Sequence, residues 1–162
     1  MHNPELVNTL ITNLAELNQH LSELYQLLLS EETALVEKQQ DDIEILAAKK
    51  IALTRLIEQT DKARLAVCEQ LGIKPDRQSI QIFTKRLDKD SRMTIAKHWQ
   101  KITTLGQHCS SQNQINGILV AHHQRYTRQA LEILRGSMTN HDIYSEKGAT
   151  ATGTDSKILG RV

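Results

Sequence analysis

"PELVNTLITNLAELNQHLSELYQLLLSEETALVEK", residues 4 to 38, is the stretch that decides the fold. Its apolar residues recur in alternating steps of three and four, the core spacing of a coiled-coil helix. They are Val7, Leu10, Leu14, Leu17, Leu21, Leu24, Leu28 and Leu35. One step falls on Glu31 instead of an apolar residue. Asn3 can cap the helix ahead of Pro4. A helix of about 50 Å cannot bury its own apolar stripe, so it requires partner helices.

The next segment predicts a second long helix that folds back on the first. Asp41 or Asp42 can cap its start, and Gly72 ends it just after Leu71. Its apolar stripe is broader and less regular than that of the first helix. The stripe comprises Ile45, Leu46, Leu53, Leu56, Ile57, Ala63, Val67 and Leu71. Because the turn between the two segments is short, they predict an antiparallel hairpin.

Residues 73 to 90 mix turn signals with a few apolar residues and predict a connector with a short helix that covers one end of the hairpin. Asp90 or Ser91 can cap a third long helix. Its stripe keeps the same spacing until Gly136, although the residues become more polar. The stripe is Ile95, His98, Ile102, Leu105, Cys109, Gln112, Asn116, Leu119, His123, Tyr126, Ala130 and Ile133. Trp99 is predicted to pack at the edge of the core under the connector.

These segments predict an all-α fold, an elongated, coiled-coil-like antiparallel bundle of three long helices with a short connector helix. Residues 1–137 form the helical domain, and residues 138–162, rich in Gly, Thr, Ser and Asp, predict a disordered, flexible C-terminal tail. Aromatic residues make up 3% of the chain and there are two prolines, which disfavours β-sandwiches and barrels.

Charge and cysteine usage restrict the functional classes. With 20 basic and 19 acidic residues and no long basic run, the chain is not expected to bind nucleic acid. No apolar run approaches the length needed for membrane insertion. The isolated Cys68 and Cys109 fit a reducing compartment, so we expect a cytoplasmic protein.

Catalytic and metal-binding patterns are not evident. The Glu-x-x-His pairs of di-metal bundles do not occur on paired helices, and no phosphate-binding glycine motif appears. One zinc ion cannot be bound by His108 and Cys109 together with His122 and His123, because the two pairs are nearly four helical turns apart. We therefore predict no enzymatic activity, no metal site and no cofactor.

A histidine phosphotransfer bundle is an alternative that the sequence "HWQKI" raises, because His98 is followed by Lys101. Ile102 stands where that class of protein has a small residue. His98 also lies on the predicted apolar stripe, so burial of its ring is the simpler interpretation.

The stretch "NQINGILVAHHQRYTRQALEIL", residues 113 to 134, is unusual for the core-facing side of a helix. Gln112, Asn116 and His123 occupy positions where the first helix has leucine. One hypothesis is that buried polar residues fix the register of the bundle at a cost in stability. The other is a partly polar groove that receives a partner helix, which Gly117 favours because a missing side chain lets another backbone approach.

The same stretch resembles the FlgN family of flagellar type III export chaperones. Members carry Asn-x-x-Asn-Gly in the last long helix, then Ala-Leu-x-x-Leu, then a tyrosine in a glycine-rich tail. The residues that carry this resemblance are Asn113, Asn116, Gly117, Ala130, Leu131, Leu134 and Tyr144. The resemblance is strongest over about residues 113 to 148.

The resemblance implies a cytoplasmic chaperone that binds the helical C-termini of hook-filament junction proteins, prevents their premature assembly and delivers them to the flagellar export gate. The expected client-binding residues are Asn113, Asn116, Gly117, Leu119, Val120, His123, Tyr126, Ala130, Leu131 and Leu134. Tyr144 is the expected docking residue for the gate. A homodimer is also possible, and a self-associating structural or scaffolding coiled coil is the main alternative.

Overall fold

The computed structural model describes residues 3–145, with the side chains of residue 77 and residues 137–145 excepted. Its four helices are α1 (Pro4–Glu37), α2 (Gln40–Gln70), α3 (Arg77–Thr84) and α4 (Lys89–Ser145). No strand occurs in this part of the chain. The predicted all-α fold, with three long helices and a short connector helix, is confirmed.

The chain forms two structural units, Met1–Ala121 and His122–Val162. The first contains α1, α2, α3 and the beginning of α4, and the second contains the remainder of α4. Helix α4 continues to Ser145, past the end of the predicted helical domain at residue 137. The remaining residues of the predicted tail, 146–162, lie outside the described part of the chain.

The ends of α1 follow from local chemistry, and the sequence predicts the first of them. The side chain of Asn3 accepts a hydrogen bond from the backbone N–H of Glu5 at 3.0 Å, and Pro4 opens the helix. At the other end Lys38 adopts a left-handed conformation with φ of 57°, and its N–H bonds to carbonyls of the last turn. The turn to α2 therefore needs only Lys38 and Gln39.

The predicted caps of the other long helices were wrong by two or three residues. The N-cap of α2 is Gln39, so Asp41 and Asp42 lie within the first turn, where their charge still favours the positive helix end. For α4, the carboxylate of Asp88 accepts hydrogen bonds from the backbone N–H groups of Asp90 (3.0 Å) and Ser91 (2.9 Å). Asp88 is therefore the cap, and the two predicted caps are the donors that it satisfies.

Helices α1 and α2 are antiparallel, and the part of α4 in the first unit runs parallel to α1. Contacts between Glu31 and Lys50 and between His20 and Thr60 fix the first pairing. The second pairing is seen in the successive hydrogen bonds from Asn18 to His98 and from Asn116 to Leu28. This up-down-up order is the predicted bundle.

The main apolar core lies at the end of the bundle where the connector crosses. Helix α3 contributes Ile80 and Phe83, which pack with Ile73 of the connector against the three long helices. The core residues of those helices are Val7, Leu10, Leu14, Val67, Cys68 and Ile95. Trp99 is partly buried against this core, and the Arg64 guanidinium lies over its ring at 5.4 Å from the ring centroid. The connector and Trp99 therefore lie as predicted.

The predicted stripe of α2 was partly wrong, because three of its core-facing positions are polar. Ile45, Leu56 and Ala63, which the sequence assigned to the stripe, are exposed. The buried and half-buried positions recur in steps of three and four, and they are Leu46, Lys50, Leu53, Ile57, Thr60, Arg64, Val67 and Leu71. Because Lys50, Thr60 and Arg64 are polar, the apolar residues alone indicate a different face of α2 from the one that packs against the bundle.

Candidate functional site

Asn116, at the centre of the unusual polar stretch, is buried against α1 with 2% of its surface exposed. Its amide nitrogen donates to the backbone carbonyl of Leu28 at 2.9 Å and to a carboxylate oxygen of Glu31 at 2.8 Å. Its amide oxygen accepts from the Gln112 side chain at 3.1 Å. Both amide protons and one lone pair are thus satisfied within the chain.

These contacts extend into a polar core network that joins three helices, comprising Glu31, Glu32, Lys50, Gln112 and Asn116. The ammonium group of Lys50 donates to the second carboxylate oxygen of Glu31 at 2.6 Å. The Gln112 side chain also donates to Glu32 at 2.7 Å. Because Glu31 is buried, removal of either donor would leave part of its charge uncompensated.

The network supports the register hypothesis for Gln112 and Asn116. A shift of α4 along α1 by one turn would separate the Asn116 amide from the Glu31 carboxylate and leave both buried without their partners. In this conformation the two amides bind the protein's own first helix. The role of Asn116 in client binding stays a prediction.

His98 is also held against α1. Its ring nitrogen Nδ1 lies 2.9 Å from the side-chain nitrogen of Asn18, which also donates to the His98 carbonyl at 3.2 Å. The amide nitrogen of Asn18 can only donate, so with the amide in this orientation Nδ1 is the acceptor. Burial, and then the charges of Lys97 and Lys101, lower the pKa of His98. The His98 ring is half-buried. This agrees with the interpretation of "HWQKI" in which the ring packs in the bundle rather than accepting a phosphoryl group.

Asn113 is exposed and lines a groove between α2 and α4, termed here the α2–α4 groove. The groove has a volume of about 590 Å³, and Leu24, Leu28 and Cys109 form its apolar floor. The remaining lining residues are Lys50, Ile51, Thr54, Arg55, Glu58 and Ser110. A partner side chain on this floor would lie within reach of the Asn113 amide.

Residues 117 to 120 present an open surface in the first unit. A Cβ atom at Gly117 would have no heavy atom within 4 Å. No other segment of the described chain therefore packs closely against this glycine. Leu119 is half-buried, and Val120 is exposed. Ile115 and Ile118 are exposed as well and were not singled out from the sequence.

The second unit presents apolar side chains to solvent along its part of α4. Leu131 is 48% exposed and Ile133 72% exposed. Of the other predicted client-binding residues in this unit, Tyr126 and Leu134 are exposed, and His123 and Ala130 are half-buried. The side chain of Tyr144 lies outside the described residues, so its predicted contact with the export gate is not addressed.

The sequence interpretation did not identify Glu31 or Lys50 as interior residues. Glu31 could have been found, because it is the one step at which the regular stripe of α1 is interrupted by a charge. Lys50 gives no such signal, since a lysine on a helix is ordinarily exposed. Its position follows only from the pairing with Glu31.

In the part of the chain whose side chains are described, residues 3–76 and 78–136, no group of three or more His, Cys, Asp or Glu side chains is arranged to hold a metal ion. None of the helices in the same range is both long and apolar enough to cross a membrane.

Comparison with known proteins identifies the class to which this helical bundle belongs. The family model described as FlgN protein matches residues 1–152. The chain therefore belongs to the FlgN family, and its role is in the biogenesis of the flagellum.

A solved structure supports the same assignment. It is a protein described as a flagella synthesis protein FlgN from Pseudomonas aeruginosa, with 25% sequence identity and a TM-score of 0.63. The match covers 78% of this chain and 95% of that chain. No curated protein sequence gives a significant match.

Proposed function

We propose that this protein is a cytoplasmic export chaperone for hook-filament junction proteins, here called clients. The observation that carries the proposal is the row of exposed apolar side chains on the C-terminal part of α4, including Leu131, Ile133 and Leu134. An exposed apolar surface on a helix of a flagellar protein suits a partner helix that is itself apolar on one face.

The chemistry of the clients makes such a surface useful. A C-terminal segment that assembles into a filament carries an apolar face, and that face aggregates or polymerises early when it is left uncovered. Covering it with Leu119, Val120, Leu131 and Leu134 would keep the client monomeric. His123 would add hydrogen bonds at the half-buried edge, with Tyr126 and Ala130 completing the contact surface.

Moderate affinity is part of the proposal, because the client must be released for export. The predicted surface mixes leucine with His123, Asn113 and Gly117, so fewer apolar groups are buried than in an all-leucine coiled coil. Tyr144 is proposed to dock on the export gate, as a tyrosine can anchor an interface with a small number of contacts. A Tyr144→Ala variant should retain its client and lose the gate in a pull-down.

Co-expression with a hook-filament junction protein, followed by size-exclusion chromatography, tests client binding. The double variant Leu119→Ser, Leu131→Ser should lose the complex. A matched control is Leu56→Ser on α2, because Leu56 is 46% exposed, close to the 48% of Leu131. The control should retain the complex, and equal retention by the double variant would contradict the proposal.

A scaffolding coiled coil is the second candidate, because the same exposed leucines could pair with a second copy of the chain. Self-association of that kind makes the midpoint of thermal unfolding rise with protein concentration. The chaperone proposal instead predicts a midpoint that is independent of concentration in the free protein and rises when client is added.

A further inference from the structure

A second groove in the first unit lies between the end of α2 and the connector helix. This α2–α3 groove has a volume of about 370 Å³. Ile73 and Phe83 are buried beneath it, and Ile82 stands at its edge with 56% of its surface exposed. The other lining residues are Leu71, Gly72, Lys74, Ser79 and Arg86. None of the predicted client-binding residues belongs to it.

The charged residues that line this groove are basic. Lys74 and Arg86 are exposed, and no carboxylate occurs among the described residues that line it. The surrounding segment, residues 73–92, contains six basic and three acidic residues, a net charge of +3, whereas the whole chain carries +1. The positive charge of the protein is therefore concentrated around the connector.

Two of the three acidic residues in this segment are engaged as helix caps. Asp76 accepts hydrogen bonds from the backbone N–H of Ser79 at 2.8 Å and from its hydroxyl at 2.7 Å. Asp88 caps α4 through Asp90 and Ser91. Among the residues that the structure describes, neither Lys74 nor Arg86 forms an ion pair. The hydrogen bonds from Ser79 lower the pKa of Asp76, and the charge of Lys74 adds to this effect. Lys74 therefore lies near one carboxylate, but neither cation is paired with one in the described chain, and both can bind an external carboxylate.

We propose that the α2–α3 groove is a docking surface for an acidic amphipathic segment of a partner protein. An apolar side chain of that segment would pack over Ile73 and Phe83 and against Ile82. Neighbouring carboxylates would pair with Lys74 and Arg86. Solvent-exposed ion pairs are individually weak and are screened by salt, so the contact is transient and salt-sensitive.

The test uses the full chain and a fluorescent helical peptide of about five turns, with leucine on one face and glutamate on the other. Fluorescence anisotropy at low salt should report binding of this peptide and weaker binding at high salt. The same peptide with lysine in place of glutamate should not bind. Vesicles of phosphatidylglycerol, added separately, distinguish an anionic membrane from an acidic protein segment.

Variants with matched controls locate the binding to the groove. Lys74→Glu with Arg86→Glu should weaken peptide binding about tenfold, whereas Lys62→Glu with Lys101→Glu, exposed cations outside the groove, should change it little. Ile82→Ser should weaken binding, and Met93→Ser should not, although Met93 is similarly exposed at 60%. Far-UV circular dichroism verifies that each variant is folded.

Two results would overturn the proposal. One is peptide binding that the groove variants and their controls reduce equally, which would reflect net charge rather than this site. The other is binding to the vesicles but not to the acidic peptide, which would make the connector a membrane-contacting surface. Loss of peptide binding in the groove variants, with retention in both controls, supports the proposal. The client experiment is unaffected by either outcome.

Discussion

The two parts of α4 carry the same spacing of residues but differ in what covers them. In the first unit, Ile95, Cys109 and Asn116 are buried by other helices of the bundle. In the second unit, Tyr126 and Ile133, which continue the same spacing, are exposed. Periodic spacing establishes that a helix has a face to bury. It does not establish whether the partner is another helix of the same chain or a different protein.

Polar contacts in the buried part of α4 hold that part in one alignment against α1. The polar core network gives α4 one preferred alignment against α1, because each buried amide and carboxylate has its partner only in that register. An all-leucine interface would tolerate sliding by a turn.

The largest expected effect is on the polar core network. Asn116→Asp should lower the free energy of unfolding by about 3 kcal/mol or more, because it places a second carboxylate beside the buried Glu31 and removes two donors. Asn113→Asp is the matched control, as Asn113 is exposed on the same helix. The control should change stability by less than about 0.5 kcal/mol.

Urea denaturation of both variants measures this difference. Equal stability of the Asn116→Asp and Asn113→Asp proteins would mean that Asn116 is not buried in solution. The distinction between the two parts of α4 would then be lost.

A pair of isoleucines on α4 provides the next test. Ile95 has no exposed surface, whereas Ile133 is 72% exposed. Ile95→Ala should lower the free energy of unfolding by about 2–4 kcal/mol, and Ile133→Ala by less than about 0.5 kcal/mol. Comparable losses in chemical denaturation would show that Ile133 is covered in the free protein. A chaperone surface would then not be available there.

The smallest expected effect is a pH dependence that arises from His98. Because its pKa is lowered in the folded state, the unfolded chain binds a proton more readily as the pH falls. The contribution of His98 to the free energy of unfolding is therefore fully present above the pKa of the unfolded chain, about 6.5. This contribution is lost as the pH falls through the lower pKa of the folded protein. Protonation at Nδ1 would oppose the donor nitrogen of Asn18.

His98→Gln keeps a side chain that can accept a hydrogen bond from Asn18 but does not titrate in this range. The variant should lose less stability than the parent protein between pH 7 and pH 5, as measured by thermal unfolding across that range. A larger loss in the variant would contradict the assigned direction of the pKa shift.

Much of the fold could be predicted from the sequence because α1 and the early part of α4 have regular apolar spacing, and Asn3 and Pro4 give α1 a clear start signal. The stripe of α2 could not, since Lys50, Thr60 and Arg64 face the interior and their pairing partners lie on other helices. The cap of α4 was misassigned because Asp88, Asp90 and Ser91 are all good cap residues. Local sequence does not rank them.

Which residues of the candidate site bind a client stays a prediction, and only their exposure can be compared with the structure. Leu131 and Leu134 were identified, and the structure places both on the surface. Asn116 was assigned to the same surface on the basis of a resemblance, but its amide binds Leu28 and Glu31. A buried amide and an exposed one are identical in sequence, and only the partner on α1 distinguishes them.

Hydrogen–deuterium exchange on the free chaperone and on its complex with a client C-terminal segment tests the central claim most directly. We expect slower exchange on client binding over residues 119–134, with little change over residues 95–116, which α1 and its neighbours already protect. Slower exchange confined to residues 95–116, or no change over 119–134, would contradict it.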